Sequence, residues 1–129
     1  MQDSERQRGQ SVVEFAMCLP LLVLILLGVF DLGRAFNSYI VITNASREGA
    51  YYGTMHPTDT NGIKTRAISE AQQSGVTVTA AQVTVSSTGV TGTPMQVTVQ
   101  HDFSLMTAFL VGRPVIHLTS RTEMMVVAN

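Results

Sequence analysis

Residues 12–30 read Val-Val-Glu-Phe-Ala-Met-Cys-Leu-Pro-Leu-Leu-Val-Leu-Ile-Leu-Leu-Gly-Val-Phe, an apolar run in which Glu14 and Cys18 are the ionisable residues. The run has 19 residues, close to the length that crosses a membrane as a helix. Thirteen of them are Val, Leu, Ile or Phe. Their insertion is worth about −4 to −8 kcal/mol, against roughly +3 kcal/mol for one central acidic group. The run is therefore predicted to span a membrane. A buried helix of a soluble core is less favoured, because a small chain rarely buries so long a helix on every face.

Glu14 is the charged residue that this span must accommodate. A carboxylate in a membrane helix pairs with a cation, takes up a proton or snorkels to the interface. Cleavage between Gly9 and Gln10 would create an α-amine one helical turn from Glu14, and a neighbouring subunit's amine could lie as close. The residues alone leave two interpretations open, such an amine or snorkelling beside Arg6 and Arg8.

The N-terminal residues resemble a known family. Residues 8–16 read Arg-Gly-Gln-Ser-Val-Val-Glu-Phe-Ala and are followed by Leu-Pro-Leu-Leu at 19–22, Gly-Val-Phe-Asp-Leu-Gly-Arg at 28–34 and Asn-Ala-Ser-Arg-Glu-Gly-Ala at 44–50. This string resembles a TadE-like minor pilin of the Tad/Flp type IV pilus system, with a class III signal sequence. The resemblance covers about the first 50 residues. It implies cleavage after Gly9 by a prepilin peptidase, N-methylation of Gln10, and assembly into a Tad-type pilus.

The same resemblance assigns roles to individual residues. Gly9 and Gln10 would form the cleavage site, while Glu14, Phe15 and Pro20 would belong to the assembly segment. Phe15 stands where the small major Flp pilins typically carry tyrosine, and this chain is longer than those pilins. Both departures point away from the major Flp subunit.

The resemblance also implies partners and a location. The partners are the inner membrane, the prepilin peptidase, the Tad assembly platform and other pilin subunits, in a homo- or hetero-oligomer. The chain would first lie in the bacterial cytoplasmic membrane, with its N-terminus in the cytoplasm and its C-terminal domain outside, and then enter a cell-surface pilus.

Length and composition limit what the chain can carry besides the span. With 129 residues, there is room for a leader at 1–9, too short to fold alone, a helix at 10–53 and one exported domain at 54–129. The net charge of −1 predicts no nucleic-acid partner. Cys18 is the sole cysteine, so no intrachain disulfide can form, and its apolar surroundings argue against a lipoprotein site.

Two features of the span concern its orientation and its shape. Basic residues before the run suggest a cytoplasmic N-terminus. An ordinary signal peptide cut near Gly33-Arg34-Ala35 is the competing interpretation, but its apolar core would be only about 7 to 15 residues long. Pro20 removes a backbone hydrogen bond, so it is predicted to kink the helix or loosen its preceding turn.

The helix is predicted to continue past the span to about residue 52, because apolar residues keep a helical spacing there. Asp31 and Arg34 are three positions apart and are predicted to pair at the membrane surface. A strip of small residues could seat either the sheet of the same chain or a neighbouring subunit; it consists of Ala45, Gly49 and Gly53. Arg47 and Glu48 beside it form either a solvated pair or an intersubunit contact.

The exported part is predicted to be α+β. Loop residues at 54–61 precede a short amphipathic helix at 63–71 that is stopped by Gly75. Alternating residues predict strands at 76–80, 82–85 and 95–100, and a last strand covers 115–127. The connection at 104–114 is predicted to be buried through apolar plugs, namely Phe103, Leu105, Met106, Phe109 and Leu110. The whole is a long N-terminal transmembrane helix packed on a short helix and a three- or four-stranded antiparallel sheet.

Catalysis has little support in the sequence. The histidines are scattered, and His101-Asp102 is the close acid–base pair. A metal site of His101, His117 and Glu123 would require separate strands to converge. We therefore predict a structural protein with no enzymatic activity, cofactor or metal. The runner-up is an uncleaved, signal-anchored surface module that binds a partner through its sheet domain.

Overall fold

The computed structural model describes residues 2–112 and 114–127, except for the side chains of residues 2–9, 110 and 111. In chain order the elements are α1 (Gln2–Met55), α2 (Thr60–Gln73), a 3-10 turn (Ala80–Gln82), β1 (Val83–Ser86), β2 (Pro94–Ser104), α3 (Ala108–Val111) and β3 (Val115–Met125). Within the described residues the strands form one three-stranded antiparallel sheet in the order β1-β2-β3. The predicted α+β architecture is confirmed, with the lower of the two predicted strand numbers.

Helix α1 is continuous from Gln2 to Met55 and includes Pro20. Proline has no amide hydrogen, so the carbonyl of Ala16 lacks its usual helical donor, yet the helix does not end there. Residues 2–9 also belong to α1, although the sequence predicts that they are too short to fold. Extending an existing helix avoids the unfavourable nucleation step, which explains how so short a polar segment can be helical.

The core lies between the C-terminal half of α1, the helix α2 and one face of the sheet. Ile42, Ile63 and Val97 are fully buried there. Asp59 caps α2 by accepting a hydrogen bond from the Gly62 backbone N–H at 2.9 Å, which satisfies one of the free donors of the first turn. The predicted short helix is confirmed, and Gly75 follows it in the left-handed region with φ of 81°.

The predicted strand at 76–80 is wrong. Residues 76–79 are irregular and Ala80 begins the 3-10 turn. Val76 and Val78 are nevertheless buried, and the Val76 N–H donates to the Ala71 carbonyl at the end of α2. The alternation therefore records which side chains face the core, not a hydrogen-bonded ladder.

The connection between β2 and β3 differs from the prediction in length and burial. β2 continues to Ser104, paired with Val115, and Phe103 is buried as predicted. Leu105 is half-buried, but Met106 and Phe109 are 54% and 72% exposed, so they are not buried plugs. The fifth predicted plug, Leu110, lies outside the described side chains.

The β2–β3 hairpin lies along α1, with β2 antiparallel and β3 parallel to the helix. Its open end lies beside the C-terminal end of α1, where the Val127 N–H donates to the Thr54 carbonyl at 2.9 Å. Its closed end reaches Asp31, whose carboxylate accepts a hydrogen bond from the Thr107 N–H at 2.8 Å. The turn of the hairpin therefore lies next to the residue that follows the apolar run.

Candidate functional site in the N-terminal half of the long helix

Nothing in the described part of the chain buries the apolar half of α1. The most apolar 18-residue window of the helix has 0% of its residues buried. Its large side chains are open, with Phe15 65% exposed, and Pro20 is also exposed. Among the described residues this is the helix that is long and apolar enough to cross a membrane, so its surface fits a hydrocarbon or protein environment better than water.

Glu14 contacts residue 10, as their spacing predicts. The Gln10 side-chain amide Nε2 donates to Glu14 Oε1 at 3.1 Å, and the two residues are four positions apart. In this structure the partner is therefore a neutral amide. The peptide bond between Gly9 and Gln10 lies inside α1, so an α-amine created there would lie one helical turn from the same carboxylate.

Asp31 and Arg34 mark the point where the span meets the domain. The predicted pair is confirmed, with Arg34 Nη1 3.2 Å from Asp31 Oδ1. The sequence does not show that Asp31 is only 3% exposed and that three further donors reach it. These are the Met106 N–H at 3.0 Å and the N–H and hydroxyl of Thr107, each at 2.8 Å.

The surroundings of Asp31 favour its ionised form. Burial raises the pKa of this carboxyl, but the N–H groups of Met106 and Thr107, the Thr107 hydroxyl and the Arg34 charge outweigh it, so the pKa is lowered from 3.8. A carboxylate that is ionised at neutral pH thus ties the turn of the hairpin to α1. One feature of the sequence indicates that Asp31 is buried: its spacing places it on the same helical face as Ser38 and Ile42. Both of these residues are buried in the structure.

The strip of small residues seats this chain's own domain. Ala45 is fully buried. A Cβ placed on Gly49 would lie 3.1 Å from the Ala67 Cβ, and one placed on Gly53 would lie 3.0 Å from the Ile63 Cδ1. Of the two interpretations left open by the sequence, the structure supports contact with the same chain.

Arg47 and Glu48, which flank the strip of small residues, lie outside its contact with the domain. Arg47 is exposed and Glu48 is half-buried, so both side chains can be reached from solvent. Their role in an intersubunit contact stays a prediction.

The histidines do not form the pair that the sequence suggests. Consecutive strand residues point to opposite faces, and the Asp102 carboxylate instead meets His117 across the sheet, with Oδ1 2.6 Å from Nδ1. Glu123 is six residues further along β3 than His117, roughly 20 Å away. Within the described residues no group of three His, Cys, Asp or Glu side chains is placed to hold a metal ion.

Residues 9–50 match the family model described as TadE-like protein. Over this segment the chain is TadE-like. The resemblance noted from the residues is thereby confirmed, and it suggests a subunit related to the Tad pilus. No curated protein and no solved structure is similar enough to the chain to count as a match.

The TadE-like segment lies entirely within α1 and includes its exposed apolar run. The match begins at Gly9 and ends at Ala50, within α1. It includes Gln10, Glu14 and Asp31, whereas Thr107 and the whole sheet lie beyond it. A TadE-like helix of this length and exposure fits a membrane anchor that associates with a pilus system.

Proposed function

We propose that this chain is a pilin-like subunit that a prepilin peptidase cuts after Gly9 and that assembles through α1 into a Tad-type pilus. The observation that carries the proposal is the bare apolar half of α1 inside the TadE-like segment. Such a surface is stable in lipid, and it is equally stable against the same surface of other subunits. The subunit can therefore move from membrane to filament without exposing the helix to water.

Glu14 links the transfer from membrane to filament to cleavage of the chain. A lone carboxylate at membrane depth is unfavourable by roughly 3 kcal/mol, and Gln10 offers it only a neutral amide in the uncut chain. Cleavage after Gly9 creates a cation at Gln10, which can pair with the Glu14 carboxylate of its own chain or of a neighbouring subunit. Cleavage and docking are then linked through one charge pair.

The exported half of α1 supports assembly as well. The side chains on the face away from the core are large and apolar, with Leu32 71%, Phe36 65% and Ile40 45% exposed. They follow one another at four-residue steps, so they share one helical face. This face continues the apolar surface beyond the span and would pack against neighbouring helices in a filament.

The first test is the N-terminal mass of the chain recovered from membranes and from sheared surface filaments. We expect a terminus at Gln10 in both fractions, one methyl group heavier if the amine is methylated. An intact Met1 confined to membranes would contradict the proposal and favour the uncleaved surface module.

Replacing Glu14 tests the docking step. We expect Glu14→Ala to insert into the membrane as well as wild type, but to be lost from sheared filaments. Glu123→Ala is the matched control, because it removes an exposed carboxylate from β3. Filaments containing Glu14→Ala at the level of the control would overturn the assigned role of Glu14.

A further inference from the structure

We propose that the turn of the β2–β3 hairpin is a second membrane contact, which places Met106 and Phe109 in the lipid interface beside α1. This turn, residues 105–112, is called the hairpin tip below. Among the described side chains of the tip, two are large, apolar and highly exposed: Met106, at 54%, and Phe109, at 72%. Neither contributes to the core, and both lie outside the TadE-like segment.

The register of the hairpin against α1 places the tip at the membrane end of the domain. At the far end, the Thr54 carbonyl accepts a hydrogen bond from Val127. In the middle, the Ser46 hydroxyl lies 2.7 Å from that of Thr122. Near the span, the Arg34 guanidinium lies 5.0 Å from the centre of the Phe103 ring.

Each step from Met95 towards Thr107 thus moves down α1 towards the apolar run. Residues 31 to 53 of the helix rise about 33 Å, and the twelve steps from Met95 to Thr107 cover at most about 40 Å. The two lengths agree, so the chain beyond Thr107 has reached the level of Asp31.

Asp31 fixes the height of the tip relative to the membrane. It directly follows Phe30, the last residue of the apolar run, and it holds the N–H groups of Met106 and Thr107. The backbone of the tip is therefore within hydrogen-bond distance of the first polar residue after the span. The Asp31 carboxylate is paired within this contact, and the large side chains that the tip exposes are the apolar ones of Met106 and Phe109.

Lipid is the occupant that this geometry favours. The exposed apolar side chains of the tip lie at the level where the bare surface of α1 ends, since the backbone of the tip is hydrogen-bonded to Asp31. If residues 12–30 span the membrane, its boundary lies at the level of Asp31, and Phe109 is two residues along the chain from the Thr107 contact with Asp31. Aromatic side chains are suited to this boundary, and an apolar surface in the interface is buried roughly 5–10 Å into the headgroup and acyl boundary.

A tryptophan reporter can test the contact, because the chain contains no tryptophan. The full chain carrying Phe109→Trp is inserted in phosphatidylcholine vesicles with or without bromine on the acyl chains. At a depth of roughly 5–10 Å we expect blue-shifted emission and a loss of about half or more of it in brominated vesicles. Met106→Trp serves as a second reporter if Phe109→Trp does not insert.

Tyr51→Trp is the matched control. Tyr51 is also an exposed aromatic, at 63%, but lies twenty residues beyond Asp31 on α1, about 30 Å from the membrane boundary. We expect its emission to be water-like and equal in both kinds of vesicle. Reporters at 106 and 109 that behave like the one at 51 would overturn the proposal.

This test is independent of processing and assembly. It uses the membrane-inserted chain and no filament, and residues 106 and 109 are not in the cleavage or docking machinery. A failed lipid contact leaves the N-terminal mass and the Glu14→Ala result as they are, so the two proposals fail separately.

Discussion

At the scale of single residues, Asp31 has the most consequential environment in the described part of the chain. A buried carboxylate is stable only when its acceptor sites are filled, and here two backbone N–H groups, one hydroxyl and one guanidinium fill them. The Arg34 pair could be predicted because its partners are three positions apart. The donors on Met106 and Thr107 could not, because they are 75 and 76 positions away and backbone N–H groups leave no mark in a sequence.

The pH dependence of stability follows from the lowered pKa of Asp31. A carboxyl whose pKa is lower in the folded state adds stability above its unfolded value, near 3.8, and this stability is lost as the pH falls through the folded value. We expect the Tm of the full chain in detergent to fall as the pH is lowered below about 4. Asp31→Asn should have a lower Tm at neutral pH and a flatter profile below pH 4, because its amide cannot accept all of these bonds.

Asp59 provides the control for that measurement. The Gly62 N–H, followed by the Tyr52 hydroxyl, lowers the pKa of Asp59, so it adds an acid-sensitive contribution of the same sign. Asp59→Asn should therefore flatten part of the profile and leave the hairpin tip docked. An Asp31→Asn profile as steep as that of wild type would contradict the role assigned to this carboxylate.

At the scale of elements, α1 shows what residue periodicity can and cannot reveal. The apolar spacing predicted one helix through the span and beyond it, and the helix is observed. The strip at 45, 49 and 53 was ambiguous, because small residues permit close approach without specifying the partner. At 76–80, alternation was mistaken for a strand, since an irregular segment that covers a core edge also alternates. The hydrogen bond from the Val76 N–H to Ala71 ties that segment to α2 instead.

The close approach at Gly53 gives an element-scale prediction. A Cβ at Gly53 would lie 2.5 Å from the sulfur of the fully buried Met95, so Gly53→Ala requires Met95 to repack. We expect a net loss of stability of up to about 2 kcal/mol, because overpacking typically costs about 1–3 kcal/mol while alanine recovers about 1 kcal/mol of helix propensity. Chemical denaturation of the full chain in detergent measures this difference.

Gly33→Ala is the matched control in the same helix. A Cβ at Gly33 meets nothing within 4 Å, so alanine should stabilise the chain by up to about 1 kcal/mol. Equal effects at Gly33 and Gly53 would mean that α1 and the sheet do not approach as closely as the structure has them.

At the scale of the whole molecule, the two halves of α1 have different surroundings. Its C-terminal half shares a core with the sheet, while its N-terminal half is bare, and the TadE-like segment at residues 9–50 extends over most of both halves. The sequence predicted this division from the position of the apolar run. It did not predict the direction of the β2–β3 hairpin along the helix, because that depends on long-range pairing. The direction matters, since it places the hairpin tip at the membrane boundary and the open end of the sheet about 30 Å beyond it.

Assembly should depend on the apolar face that α1 keeps outside the membrane. Burying one large apolar side chain is worth about 1.5–3 kcal/mol, so Phe36→Ser combined with Ile40→Ser should weaken each helix contact by several kcal/mol and sharply reduce filament yield. Membrane insertion should not change, because both residues lie beyond the span, and both are exposed, so the fold should persist. Val90→Ser, an exposed apolar position in the turn before β2, should keep the wild-type yield. Quantifying sheared filaments against membrane-bound chain separates these outcomes. A double variant that assembles as well as Val90→Ser would mean that subunits associate through residues 10–30 alone, and that the outer face of the helix is turned towards solvent in the filament.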